Sequence, residues 1–133
     1  MKNIFAIALG GAIGACIRTG GLEELPALFT IGDISVNCLL INLAGCFILS
    51  LFTTLVLDVD FSAPLKLGIA TGFCGALTTF STLCKESAVL FTTVGFGTGF
   101  LYLVTTVCCG LVAIFLGEFL GHLYKEKTRK EAA

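Results

Sequence analysis

Four apolar runs, at residues 4–19, 35–57, 67–91 and 100–123, alternate with short polar connections along the chain. Runs of this length are expected to cross a bilayer as helices, each completing its backbone hydrogen bonds internally. The connections carry turn formers. Gly20, Gly21, Pro26 and Gly32 stand in the first, Asp58, Asp60 and Pro64 in the second, and Gly95, Gly97 and Gly99 in an uncharged third at residues 92–99. Pro64 also suits the first turn of the helix that follows. Leu25, Leu28 and Phe29 read as a short interfacial turn of helix within the first connection. The pattern predicts an all-α integral membrane protein with one four-helix transmembrane domain at residues 1–124. A mixed-charge tail at residues 125–133 is expected to fray.

Small and polar residues then distinguish the runs. Ala6, Gly10 and Gly14 fall every four residues in the first, a smooth face that lets another helix approach closely. Residues 4–17 give about 21 Å of helix, short of the ~30 Å hydrocarbon core. Arg18 therefore either snorkels to the interface or faces a polar interior. The second run carries Asn37 and Asn42, whose amides are costly in hydrocarbon without partners. Asn42, with Gly45 thinning the same region, fits interhelical glue and a pore donor equally well. In the fourth run Tyr102 and Thr106 share a helix face, Gly110 continues it, and Gly117 and Gly121 repeat the spacing. Glu118 and His122, also four apart, are expected to be solvated.

The third run departs most from a plain span. Within residues 72–86, Gly72 and Gly75 flank Phe73 and Cys74. Thr78, Thr79, Ser81 and Thr82 surround Phe80, and Lys85 and Glu86 close the stretch. Glycine loosens a helix, and hydroxyls offer its backbone other partners. Such backbone is tolerated at membrane depth only when buried in protein or lining a wet cavity. This predicts a helix broken at its middle, whose freed carbonyls and amides serve an ion or substrate. The alternative is an unbroken helix in which glycine and threonine serve close packing.

Composition narrows the class. The 133 residues are 56% hydrophobic and 13% charged, against about 25% charged in a soluble domain, and the mean hydropathy is +1.02. A net charge of -1 and no basic aromatic patch argue against a nucleic-acid partner. The start resembles a signal peptide only superficially, because no cleavage site followed by soluble sequence appears. Seven cysteines lie in apolar segments without a Cys-x-x-Cys pair, and His122 is the single histidine. Zinc has little support, an odd count argues against complete intrachain pairing, and cysteine reads here as a small apolar residue. Four spans place both termini on one side. That side holds Lys2, Lys66, Lys125, Lys127, Arg129 and Lys130, against Arg18 and Lys85 opposite, which favours cytoplasmic termini. Without the tail the count is two against two, the balance that dual insertion requires.

The run GFCGALTTFST at residues 72–82, with Glu86 after it, closely resembles the signature of the Fluc/CrcB fluoride channel family. GGAIGACIR at residues 10–18 and NLAGCF at residues 42–47 support the resemblance, which covers nearly the whole chain. It implies a fluoride-selective channel, not an enzyme, in the cell membrane, which exports fluoride passively and protects the cell from its toxicity. It implies a homodimer of oppositely inserted, antiparallel subunits in the lipid bilayer, with a structural Na+ at the dimer centre. The matching sodium ligands are the backbone carbonyls of Gly75 and Thr78; carbonyl oxygens are hard ligands suited to a hard cation. The matching fluoride pathway comprises Asn42, Phe80, Thr82, Leu83, Tyr102 and Thr106, with Arg18 and Glu86 as accessory positions. Phe80 would offer its positive ring edge to the anion. Two positions depart from the pattern: Leu83 stands where a second phenylalanine is usual, and Gly110 where a hydroxyl is common. Leu83 brings no aromatic edge, so a paired homologous subunit supplying the ring is the alternative to a homodimer.

Two other classes fit parts of the pattern. A small four-span drug or cation exporter needs a carboxylate deep in the first span, and none is there. A non-transporting membrane scaffold would use the small-residue faces but has no use for the polar third span.

Overall fold

The structure is a computed structural model that describes residues 1–22, 30–31, 34–35, 37–56 and 61–131. The expected interfacial turn at Leu25, Leu28 and Phe29, and Asp58 and Asp60 of the second connection, lie outside the described residues. Among the described residues the structure is helical apart from short turns and a two-residue antiparallel pairing of Thr30–Ile31 with Ile34–Ser35. Helix α1 is Lys2–Ile17, continued by a wide π-helical turn at Arg18–Leu22. Helix α2 is Asn37–Val56. Helices α3 (Ala63–Leu67), α4 (Cys74–Leu77) and α5 (Phe80–Thr93) form the third span, with a π-helical turn at Gly68–Phe73 joining the first two. Helix α6 is Phe96–Glu131. Among the described residues four segments are long and apolar enough to cross a membrane: Lys2–Gly20, Asn37–Val56, Ala63–Thr93 and Phe96–Glu131.

Glycines set how closely these spans pack. Gly10 and Gly14 of α1 press against the backbone of the third span, and a Cβ on either would strike the carbonyl of Gly68 or Phe73. The small-residue face of the first run is thus a backbone-to-backbone contact, which dispersion stabilises only at short range. The same device recurs between α2 and α6, where a Cβ at Gly117 would lie 2.7 Å from the Phe47 carbonyl and one at Gly121 2.8 Å from Thr54. Between α2, α5 and α6 a small core forms from Cys38, Leu83, Leu90 and Tyr102, flanked by Leu39 and Leu103. Outside it, Ile4, Phe5, Leu9, Phe100, Phe115 and Phe119 are exposed, an apolar outer surface of the kind that hydrocarbon solvates.

One connection and the tail differ from expectation. The glycine-rich stretch at residues 92–99 is a two-residue turn at Val94 and Gly95. Gly95 takes φ +135°, a conformation open chiefly to glycine, and the Val94 and Gly95 amides both donate to the Leu90 carbonyl, at 3.1 and 2.9 Å. The chain reverses at once, so α6 starts at Phe96 instead of Phe100. At the other end α6 continues through the charged tail to Glu131 instead of fraying. Lys130 meets Glu126 at 2.7 Å and Lys127 meets Glu131 at 3.9 Å, each one helical turn apart.

Gly14→Ala is expected to lower the stability of the purified protein by about 1–3 kcal/mol, because backbone must move to admit the methyl. Gly97→Ala, where nothing lies within 4 Å of the new carbon, should be neutral or slightly stabilising. Thermal unfolding in detergent measures both; equal effects would refute the close α1 contact.

Candidate functional site

Midway through the third span the helical path bends. Thr78 (φ -77°, ψ 152°) and Thr79 (φ -141°, ψ 114°) are both extended between α4 and α5. Hydroxyls supplement the backbone bonds on either side of the bend. The Thr78 hydroxyl and amide both donate to the Cys74 carbonyl, at 3.0 and 3.1 Å. Thr79 is the N-cap of α5: its Oγ1 accepts from the Thr82 amide at 3.2 Å and donates to Thr82 Oγ1 at 3.0 Å. Helix α2 supplies the remaining partner. Asn42 Oδ1 accepts from the Thr79 amide at 2.8 Å, and its Nδ2 donates to the Thr79 carbonyl at 3.1 Å. Because Thr79 N–H can only donate, the orientation of the Asn42 amide follows from this pairing. Gly45 lets α2 lie this close, since a Cβ there would strike the Thr78 methyl.

These bonds redirect two amides that would otherwise close helical bonds four residues back. The Thr79 amide turns to Asn42 and away from the Gly75 carbonyl; the Thr82 amide turns to Thr79 Oγ1 and away from the Thr78 carbonyl. Gly75 is also exposed, with nothing within 4 Å of where a Cβ would stand. Two released carbonyl oxygens on an open face fit a hard cation such as Na+. Between them the Ala76 carbonyl is occupied by Arg18 Nε at 3.0 Å. Arg18 therefore faces the end of α4, the interior alternative for this residue, where a cation also complements the helix dipole.

Asn42, Gly75, Thr78, Phe80 and Leu83 line one open cleft of about 420 Å³. Phe80 and Leu83 differ sharply there: the Phe80 ring is 78% exposed, while Leu83 is 6% exposed and belongs to the small core. A second cleft of about 190 Å³ lies beside it, between α2 and α6, lined by Asn42, Cys46, Thr106 and Gly110. Thr106 and Tyr102 share a face as expected, and both hydroxyls point inward. Thr106 Oγ1 donates to the Tyr102 carbonyl at 2.8 Å, and buried Tyr102 donates to Glu86 Oε2 at 2.6 Å. Thr82 is turned to Thr79. Tyr102, Glu86, Thr82 and Arg18 thus stand outside both clefts.

Sequence reasoning did not single out two residues. Thr79 was visible only as one hydroxyl among four, although a threonine with an extended backbone one residue before a helix is a strong cap signal. Cys46 lines both clefts; it falls one turn after Asn42, so the shared helix face was the available clue.

The sequence model of the family described as CrcB-like protein, Camphor Resistance (CrcB), matches residues 5–118. The chain belongs to the CrcB-like family. That match spans every residue of the bend and both clefts. The chain is similar to a protein of Ignicoccus hospitalis named fluoride-specific ion channel FluC, 34% identical over 90% of this chain and 95% of that protein. A protein of Carboxydothermus hydrogenoformans named fluoride-specific ion channel FluC 2 is 38% identical over 98% and 96% of the two chains. One of Chloroflexus aurantiacus, named fluoride-specific ion channel FluC, is 38% identical over 93% and 98%. Family membership and four apolar spans make this a multi-pass membrane protein.

Thr79→Val removes the α5 cap and should destabilise the fold by about 1 kcal/mol, whereas Thr79→Ser keeps the oxygen and should stay close to wild type. Thermal unfolding of the two variants side by side checks this; a Val variant as stable as the Ser variant would refute the capping role.

Proposed function

We propose that this chain is the subunit of a fluoride-selective channel that exports fluoride passively and so protects the cell; it is a channel, not an enzyme. The observation that carries the reading is the cleft at the bend, with Asn42 and Phe80 on its wall, in a chain whose relatives along nearly its whole length bear the fluoride-channel name.

Fluoride is small and tightly hydrated, so a path for it must offer donors where water is stripped. Asn42 supplies one. One of its N–H groups is held by the Thr79 carbonyl, while the other meets Cys38 Sγ at 3.7 Å. Sulfur is a weak acceptor, so that second N–H passes readily to an anion. The exposed Phe80 ring presents its positive edge. Thr106, Tyr102 and Thr82 extend the path by swinging hydroxyls away from the partners they hold. Arg18 and Glu86 set the local charge without lining the clefts. Leu83 borders the cleft as an aliphatic wall, so fluoride is held more weakly there than beside Phe80.

The bend at Thr78 and Thr79 is, in this reading, the break of the third transmembrane helix. The Gly75 and Thr78 carbonyls of two antiparallel copies would hold a structural Na+ at the dimer centre, where the ion neutralises converging carbonyl dipoles. The exposed Phe80 and the open side of the cleft support a second copy as the missing wall. Balanced charge outside the tail supports dual insertion and a homodimer over a paired homologous subunit. Residues 1–124 form the channel domain, and residues 125–133 are appended to it.

Wild-type protein reconstituted alone in liposomes is expected to release fluoride and retain chloride, and Leu83→Phe should hold fluoride more tightly. Comparable chloride and fluoride fluxes would overturn the selectivity. A folded, dimeric yet silent wild type that Leu83→Phe does not rescue would shift the assignment to a heterodimer.

A further inference from the structure

The geometry points to a second task for Asn42: it is a positioning residue that keeps the Gly75 carbonyl available, coupling the anion path to the carbonyl cradle. Three observations carry this. The Thr79 amide is the donor that an uninterrupted helix would give to Gly75, and it instead meets Asn42 Oδ1 at 2.8 Å. Asn42 Nδ2 also holds the Thr79 carbonyl at 3.1 Å, so one side chain grips both polar groups of one extended residue, as a neighbouring strand would. Beside it, Thr79 Oγ1 draws the Thr82 amide from the Thr78 carbonyl. The released oxygens are thus those of Gly75 and Thr78, and the first depends on a side chain of α2.

Removing the Oδ1 acceptor leaves the Thr79 amide without its partner in an apolar span. A buried N–H must be paired, and the nearest remedy is to close the helical bond onto Gly75. That bond would consume the oxygen. An apolar residue at position 42 therefore acts at the cradle as well as on the anion, and loss of flux alone cannot separate the two effects. The isosteric Asn42→Asp keeps an oxygen facing the Thr79 amide and gives up the amide donor.

The experiment reads the Gly75 carbonyl directly. Labelling glycine carbonyls with carbon-13 and alanine amides with nitrogen-15 reports only Gly-Ala pairs, of which the chain has three: Gly11-Ala12, Gly14-Ala15 and Gly75-Ala76. The first two lie within α1 and serve as hydrogen-bonded helical references. In sodium-free N-methylglucamine buffer the wild-type Gly75 carbonyl signal should lie upfield of both. Asn42→Leu should move it downfield toward them, and Asn42→Asp should leave it in place; Asn42→Ala, which adds no bulk, replaces the Leu variant if that variant does not assemble. A wild-type Gly75 signal at the helical position, or one that the apolar variants do not move, overturns the inference.

The consequence for a cation rests on the cradle reading given above, and a second measurement separates the two. Sodium titrated against thermal unfolding, with N-methylglucamine as control, should stabilise wild type. Asn42→Leu should weaken that sodium dependence by about tenfold or more, the usual effect of losing an outer-shell partner. If the carbonyl signal shifts while sodium stabilises neither protein, the cation reading fails and the positioning role stands. Sodium stabilisation that is present and equal in wild type and Asn42→Leu, with the carbonyl signal unmoved, would overturn the positioning role and leave the cradle intact.

Discussion

A backbone that leaves helical geometry inside hydrocarbon must find other hydrogen-bond partners, and the third span meets that demand mainly through one side chain. Asn42 takes both polar groups of Thr79, and the Thr79 hydroxyl takes the Thr82 amide. An unsatisfied amide and carbonyl there would cost several kcal/mol. The Asn42 contact and the Thr79 cap hold the bend against closure of the helix, which would satisfy the same groups locally. The open cleft, the exposed Phe80 and the released carbonyls all follow from that bend.

The packing around the bend follows from the same need for proximity. Asn42 is short, so α2 must lie almost against the third span, and Gly45 removes the carbon that would hold it off Thr78. On the opposite flank Gly10 and Gly14 let α1 reach the span's backbone, and Arg18 caps the Ala76 carbonyl from that side. The bend is therefore clamped between two helices that approach through glycine. In a bilayer, where apolar surface alone gives helices little reason to associate, such short-range contact is the main source of cohesion.

The polar residues fall into two sets. In one set, the Thr79 hydroxyl holds the Thr82 amide and meets the hydroxyls of Ser81 and Thr82. In the other, the Thr106 hydroxyl is turned to the Tyr102 carbonyl of its own helix and the Tyr102 hydroxyl to the Glu86 carboxylate. Asn42 belongs to both, since it grips the bend while bordering the cleft that Thr106 lines.

Much of this was legible in the order of residues. The apolar runs declared four spans, since no soluble core accommodates such stretches. The four-residue spacing of Ala6, Gly10 and Gly14 announced a close helix contact, and the GFCGALTTFST run marked both the place of the bend and the family. What the chain could not declare locally was partnership across spans. Whether Arg18 snorkels or turns inward, and whether Asn42 is glue or pore donor, depends on what lies beside them after packing. The fold places an open carbonyl near Arg18 and an extended threonine near Asn42, contacts made across 58 and 37 residues. The fate of the hydroxyls was equally hidden, because a threonine serves a helix cap, its own helix or an anion with the same atoms. Only the tertiary structure assigned Thr79 to the cap, Thr106 to the Tyr102 carbonyl and Leu83 to the core, because hydrogen bonds and burial are settled by neighbours that the linear chain does not specify.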